Sequence, residues 1–252
     1  MLSSCHLEVG TPSTLTVSLS VVEYQIQSNI MMKHIIIFLA AAICILVESA
    51  TPSRAFSRPH DYNIVREEVL YEGWRKVVRR TVQSPKITKH IDFEVIDQTH
   101  STGGAVIIFA WNSRTKSATI IREYMPGCHR VLGGLAAGLV EEKHGGSEED
   151  AARHELEEEC HLAGGTWYRL IDDGVSVPMD KYVCTEIVPY LVIDPHHVAN
   201  PRPLDDEEDI EIISGVSAEE IMQMVKKGDM NLVGGWGALL ALDKLRELGE
   251  IQ

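Results

Sequence analysis

Basic charge, cysteine and long apolar runs are all scarce in this chain of 252 residues, and each shortage closes off a class of protein. Lys and Arg number 23 against 37 Asp and Glu, a net charge of −14. A surface of that sign repels a phosphate backbone, which argues against nucleic acid as a partner. An acidic protein that handles phosphates needs metal ions as intermediaries. Five cysteines, Cys5, Cys44, Cys128, Cys160 and Cys184, are too few and too scattered for a disulfide scaffold, and no C-x-x-C pair offers zinc spacing. The core must therefore be held by packing. The one long uncharged apolar run, Ile35–Val47, would span about 20 Å as a helix, short of the roughly 30 Å of a bilayer core. There is no internal repeat and no Gly/Ser linker. At 44% hydrophobic and 24% charged, the chain should nevertheless fold.

The N-terminal 55 residues read as an upstream extension followed by a signal peptide. Met31-Met32-Lys33-His34 precedes the apolar segment 35–47, and a Thr-Pro-Ser-Arg-Ala-Phe segment follows it. Translation starting at Met31 or Met32 would make residues 1–30 a gene-model extension. Cleavage after Ala55 satisfies the small-residue rule and exposes Phe56, which opens a segment with Ser57 and Arg58. That junction resembles the bipartite presequence of algae with complex plastids. The expected destination is the plastid of such an alga, with the secretory pathway or the exterior as the alternative, and with no stable membrane insertion after cleavage. Residues 56–70 then form a transit or linker segment, and 71–250 form one domain.

Within that domain, Arg75–Val82 and Lys89–Ile96 alternate polar and apolar around a Gln83-Ser84-Pro85-Lys86 turn, which predicts a hairpin ahead of the main body. Gly104–Trp111 and Ser117–Tyr124 read as the next two strands. A Gly-rich loop and a helix follow. Then come strands near Trp167–Ile171 and at Glu186–Ile193, an acidic loop, and a strand at Ile210–Ser214. Helices at Ala218–Lys227 and from about Trp236 to Leu248 close the chain. Strands gathered around helices without regular βαβ alternation give an α+β fold or an αβα sandwich.

The chemistry concentrates between Gly133 and Glu159. Ser147 with Asp150 three residues on predicts a capping box and a helix from Glu148. At 100° per residue, Glu155, Glu158 and Glu159 share one edge beside an apolar stripe of Ala152, Leu156 and Cys160. Carboxylates so placed repel one another, and a divalent cation relieves the repulsion. All-oxygen ligands favour Mg²⁺ or Mn²⁺ over zinc. An isolated E-L-E-E-E is more often a solvated helix face. Here the Gly-rich loop ahead of it can bring backbone groups to the same point.

This stretch resembles the Nudix hydrolase box, G-x5-E-x7-R-E-U-x-E-E-x-G-U, where U is a bulky aliphatic residue. Gly138 matches the first Gly, Glu155 the Glu after the Arg, Leu156 and Leu162 the aliphatics, and Glu158 and Glu159 the paired acids. The loop is two residues longer than the box. Gly146 stands where the family has its loop Glu, His154 where it has Arg, and His161 where it has its second Gly. Losing Arg and Glu together strands no charge. His154 can still hydrogen-bond a carboxylate, and Glu148 or Glu149 can stand in for the loop Glu.

Other segments resemble the branch that hydrolyses ADP-ribose and other ADP-sugars. These are Arg122-Glu123-Tyr124-Met125-Pro126 at a strand end, Leu135-Ala136-Ala137-Gly138, Ser176-Val177-Pro178 with Thr185-Glu186, and the acidic run Asp205–Glu211. The resemblance implies an αβα Nudix sandwich with a mixed sheet and a short N-terminal hairpin subdomain. It implies metal ligation by Glu155, Glu158, Glu159 and the Ala137 carbonyl, with Mg²⁺ as cofactor and Mn²⁺ also admissible. Glu208, then Glu207, is the expected general base, with Glu158 alongside in catalysis. Arg122, Trp74 and Glu186 are the expected substrate contacts. Arg122 reads equally as a strand-end surface charge, and Trp74 as a plain core or interface aromatic in place of an adenine platform across a homodimer. The implied activity splits a nucleoside-diphosphate sugar into a nucleoside monophosphate and a sugar phosphate. The alternatives are another Nudix pyrophosphatase, acting on CoA, NADH or an oxidised nucleotide, and a non-catalytic nucleotide-sugar binding protein.

Overall fold

A computed structural model of the chain describes residues 61–99, 101–205 and 208–252. The expected signal peptide, its expected cleavage site and Phe56 lie outside the described residues. The fold is α+β. Among the described residues no helix is long and apolar enough to cross a membrane.

Three strands, β1 (Asn63–Glu72), β2 (Arg75–Gln83) and β3 (His90–Gln98), form an antiparallel sheet in that order. The expected hairpin is β2–β3; β1 is an addition that occupies much of the segment read as linker. It was hidden because its residues are almost all exposed. Polar pairs zip this sheet across its strands, among them Arg80–Glu67 at 2.7 Å and Thr81–Asp92 at 2.6 Å. Val78, Val82 and Val95 supply its small apolar centre.

The main body is an eight-stranded mixed sheet. It contains β4 (Ser101–Asn112), β5 (Ser117–Met125), β6 (Arg130–Gly134), β7 (Ala136–Glu141), β9 (Thr166–Arg169), β10 (Val177–Pro178), β11 (Glu186–Ile193) and β13 (Ile210–Ser217). Two-residue strands β8 (Leu162–Ala163) and β12 (His196–His197) pair with each other. β11 runs parallel to β4, and the other pairings are antiparallel. β4 and β5 pair only at Ala110–Thr119, Trp111–Ala118 and Asn112–Ser117, then part. Beyond the split, β4 takes β7 as neighbour and β5 takes β6. The Gly-rich loop of the sequence reading is thus largely two strands. Gly133, Gly134 and Gly138 weaken the strand signal, and close neighbours rather than propensity hold the backbone there.

Three α-helices cover this sheet: α1 (Glu148–Cys160), α2 (Ala218–Lys227) and α3 (Leu232–Glu247). Alternate residues of β4 divide between two cores. Ile107, Phe109 and Trp111 face α3, through Ala238, Ala241, Leu242 and Leu245. Val106, Ile108 and Ala110 face α1, through Ala151, Ala152, Leu156 and Cys160. Helix α3 begins four residues before the expected Trp236, because Asn231 caps it by accepting from the Gly234 amide at 2.6 Å. Its glycines let the helix press onto the sheet. A Cβ on Gly237 would sit 3.3 Å from Leu135 and 3.5 Å from Ile107.

Candidate active site

The splayed strands and α1 build the acid cluster together. Ser147 caps α1 by accepting from the Asp150 amide at 3.2 Å. The reciprocal half of the expected capping box is replaced, since the Ser147 amide donates to the His144 carbonyl at 3.1 Å. From this start, Glu155 and Glu159 fall on the buried side of α1 and are only 7% and 3% exposed, while Glu158 is half-buried. β7 passes under them. The Ala137 amide donates to Glu159 Oε2 at 2.9 Å. At Gly138 a Cβ would lie 2.1 Å from the Glu155 carboxyl group, so the absent side chain is what admits that carboxylate.

Two more elements bring acids to the same place. β5 alternates, and Ile121 and Glu123 take the α1 face while Ile120 and Arg122 take the opposite one. The loop before β13 supplies Asp205 and Glu208, with the Asp205 amide donating to Glu208 Oε2 at 3.1 Å. Glu123, Glu155, Asp205 and Glu208 line one cleft of about 520 Å³. Trp74, Arg75, Ile96 and Met179 line the same cleft, so the three-stranded sheet contributes to its wall. That sheet is tied to the body at Ile96, whose amide donates to the Tyr182 carbonyl and whose carbonyl accepts from the Cys184 amide.

Burial, and for most of them mutual repulsion, raises the proton affinity of these groups. Burial, reinforced by Glu158 and Glu208, pushes the Glu155 carboxyl up to about 8. Glu159 is raised well above the usual carboxylate range by burial and by Glu155, against the Ala137 amide, which favours its charge. Glu123, Glu158 and Glu208 are raised as well, burial being the first cause for each. Carboxyl groups that hold protons near neutrality mark a place short of positive charge. The donor set is all oxygen, as Mg²⁺ or Mn²⁺ prefers. Among the described residues no three acidic, histidine or cysteine side chains already converge as a finished coordination set. The acids fit an ion in composition and electrostatics.

The expected substrate residues separate. Trp74, 59% exposed, stands at the mouth of the cleft. Arg122 sits on the other face of the sheet, paired with Glu211 on β13 at 3.3 Å, in a groove beside α2. Glu186 is exposed at the start of β11 and accepts from the Ser176 hydroxyl. Glu207 lies outside the described residues. His154 packs edge-on against His144 with ring centroids 5.0 Å apart, in place of the expected carboxylate contact. Glu148 and Glu149 do not fill the place of the loop Glu, because they pair outward with Arg169 and Arg153 at 2.5 Å each. Cys160 is a buried apolar group whose thiol is pushed up by burial.

Sequence reasoning missed Glu123, Lys143, His144 and Arg75. Strand alternation was the available signal for Glu123, since it must face away from its neighbour Arg122. Lys143 and His144 lie in the two extra residues of the loop and its surroundings, where no pattern exists to read.

No family model matches the chain, and no curated protein matches it by sequence. Its structure is similar to a solved structure described as the crystal structure of ADP compounds hydrolase. The TM-score is 0.63 at 18% identity, and the alignment covers 77% of this chain and 100% of that one. At that identity the likeness establishes a shared fold.

Proposed function

We propose that the protein hydrolyses a nucleoside-diphosphate-linked sugar, ADP-ribose or another ADP-sugar, to a nucleoside monophosphate and a sugar phosphate, with Mg²⁺ as cofactor. The observation that carries this reading is one cleft with two kinds of lining. Buried carboxyl groups short of positive charge border it together with an aromatic and a guanidinium, Trp74 and Arg75. A diphosphate that bears organic groups suits that mixture. The fold shared with an ADP compounds hydrolase supports the same substrate class.

Glu155, Glu158 and Glu159 would hold the ion, with β7 at Ala137 and Gly138 setting their positions. The ion supplies positive charge to the diphosphate and Lewis acidity toward water. Glu208, on a loop and turned into the cleft, takes the proton of the attacking water at a carboxylate oxygen. Its burial holds its affinity for a proton above that of a solvated glutamate, which suits a base working near neutrality. Trp74 offers a face for a planar base, and Arg75 a charge for a phosphate or a sugar hydroxyl. The same reading takes the protein as a homodimer and its leader as plastid-directed.

The test is a panel of ADP-ribose, ADP-glucose, UDP-glucose, NADH and CoA, with and without Mg²⁺. Turnover of an ADP-sugar that requires the ion and is lost in Glu159→Gln is the expected result. Preference for NADH or CoA would move the protein to another pyrophosphatase class. Tight binding of an ADP-sugar with no turnover would make it a binding protein.

A further inference from the structure

The turn between β1 and β2 and the end of β3 form one small patch of the cleft wall. The Thr99 hydroxyl donates to the Gly73 carbonyl at 3.0 Å, next to Trp74, and Arg75 is the cross-strand partner of Gln98. Paired residues of an antiparallel sheet point to one face, so the Arg75 and Gln98 side chains lie beside each other, and both line the cleft with Trp74 and Ile96. Gln98 is also held from the main body. Its Nε2 donates to Oγ1 of Thr185 at 3.2 Å, and Thr185, only 2% exposed, stands immediately before β11. A carboxamide that nothing holds can turn over and exchange its donor end for its acceptor end. With Nε2 committed to a buried hydroxyl, Oε1 is left to accept and the second N–H to donate. Among the described residues, Trp74, Arg75, Ile96 and Gln98 are what this sheet and its turn give the cleft. Trp74 and Arg75 donate only and Ile96 does neither, so Gln98 Oε1 is the side-chain acceptor of the patch.

We propose that Gln98, held by Thr185, selects the base of the substrate by accepting from the exocyclic amino group of an adenine laid on Trp74. This rests on the hydrolase reading above and assigns its base specificity to one side chain. A 6-amino purine presents a donor beside a ring acceptor, and a carboxamide matches that pair with its oxygen and its N–H. A 6-oxo purine such as hypoxanthine presents an oxygen in the same place and sets it against Oε1, acceptor to acceptor. Rejecting it requires that the amide keep its orientation, which the buried Thr185 hydroxyl enforces. A glutamine that only tied the sheet to the body would be indifferent to the base.

The experiment measures KM and kcat of the full-length protein with Mg²⁺ on ADP-ribose and on inosine diphosphate ribose, which differ at the purine 6-position. The wild-type protein should favour the adenine compound by about tenfold or more in kcat/KM, the discrimination expected of one pairing to a base edge. Gln98→Met keeps the length of the side chain and removes its polar atoms. It should bring the ratio to within about twofold of unity by raising KM for the adenine compound, with kcat nearly unchanged. Thr185→Val frees the amide to turn, and should narrow the ratio by improving kcat/KM for the hypoxanthine compound. Melting curves establish that both variants are folded. A wild-type protein that takes both bases equally, or a wild-type ratio in folded Gln98→Met or folded Thr185→Val, overturns the proposal and leaves the hydrolase reading standing. A wild-type protein that neither binds nor turns over either compound overturns both.

Discussion

Helices α1 and α3 cover opposite faces of one sheet, and they do so with opposite chemistry. On the α3 side, Leu242 and Leu245 meet Phe109 and Trp111, and the layer is apolar throughout. On the α1 side, Ala152 and Leu156 do the same work, but Glu155 and Glu159 are buried among them, and burial raises the proton affinity of both. Burying a carboxyl group without a partner costs free energy, and raised proton affinity is how the group limits that cost. One face is packed for stability, and the other carries the buried acids. The strand between them makes the division possible, because a period of two sends each neighbour to a different layer.

Several changes would break or sharpen this contrast. The largest effect on folding belongs to the α3 side. Leu245→Ala, at a fully buried position, should lower unfolding free energy by about 2–5 kcal/mol in a denaturant titration, with kcat per folded molecule unchanged. On the α1 side, Glu155→Gln or Glu159→Gln should cut kcat by about 10²-fold or more. The same substitutions should raise the melting temperature of the metal-free protein at alkaline pH, where they remove a buried charge. Loss of stability in both variants would contradict the contrast.

The pH dependence has a definite sign. Glu155 titrates near 8 in the fold against an ordinary carboxyl value of 4.5, so the folded state binds the extra proton between those limits. Its contribution is therefore most favourable below about pH 4.5, declines as pH rises to about 8, and is flat above. Melting curves of the metal-free protein should slope downward across that window, and Glu155→Gln should flatten the slope. Added Mg²⁺ should reverse it, because the ion binds the ionised form.

The His144–His154 contact offers a finer test. A charge placed alone in that buried contact should be poorly tolerated, so His144→Glu or His154→Arg should each cost about 1–3 kcal/mol. The double variant should recover most of the loss in a double-mutant cycle. The smallest effect is expected from Arg122→Ala, which should change KM by less than about twofold because its guanidinium is engaged with Glu211 on the other face. A large rise in KM would place substrate on the α2 side of the sheet.

Much of this was legible in the sequence, and the part that was not has a common cause. Patterned elements could be read to within about three residues. Strand β11 and helix α2 were read with their observed bounds, and Ser147 gave the start of α1. The three acids of α1 followed from helical spacing, and two of them are the buried pair. Where glycines replaced side chains, at β6, β7 and the start of α3, local propensity pointed the wrong way. The structure there is made by neighbours distant in sequence. Arg122 illustrates the other limit, since a motif gives the residue but strand register decides its face. The partner of His154 was unreadable because His144 belongs to a loop that follows no period.

Gly138 gives the experimenter a handle that charge substitutions cannot. Since one methyl group there would occupy the space of the Glu155 carboxyl group, Gly138→Ala works as a plug that leaves every acid in the chain intact. A protein so altered keeps its formal charge and its sheet pairing, yet must move the Glu155 carboxyl group from its place. It is the control that separates what the cleft does by shape from what it does by charge.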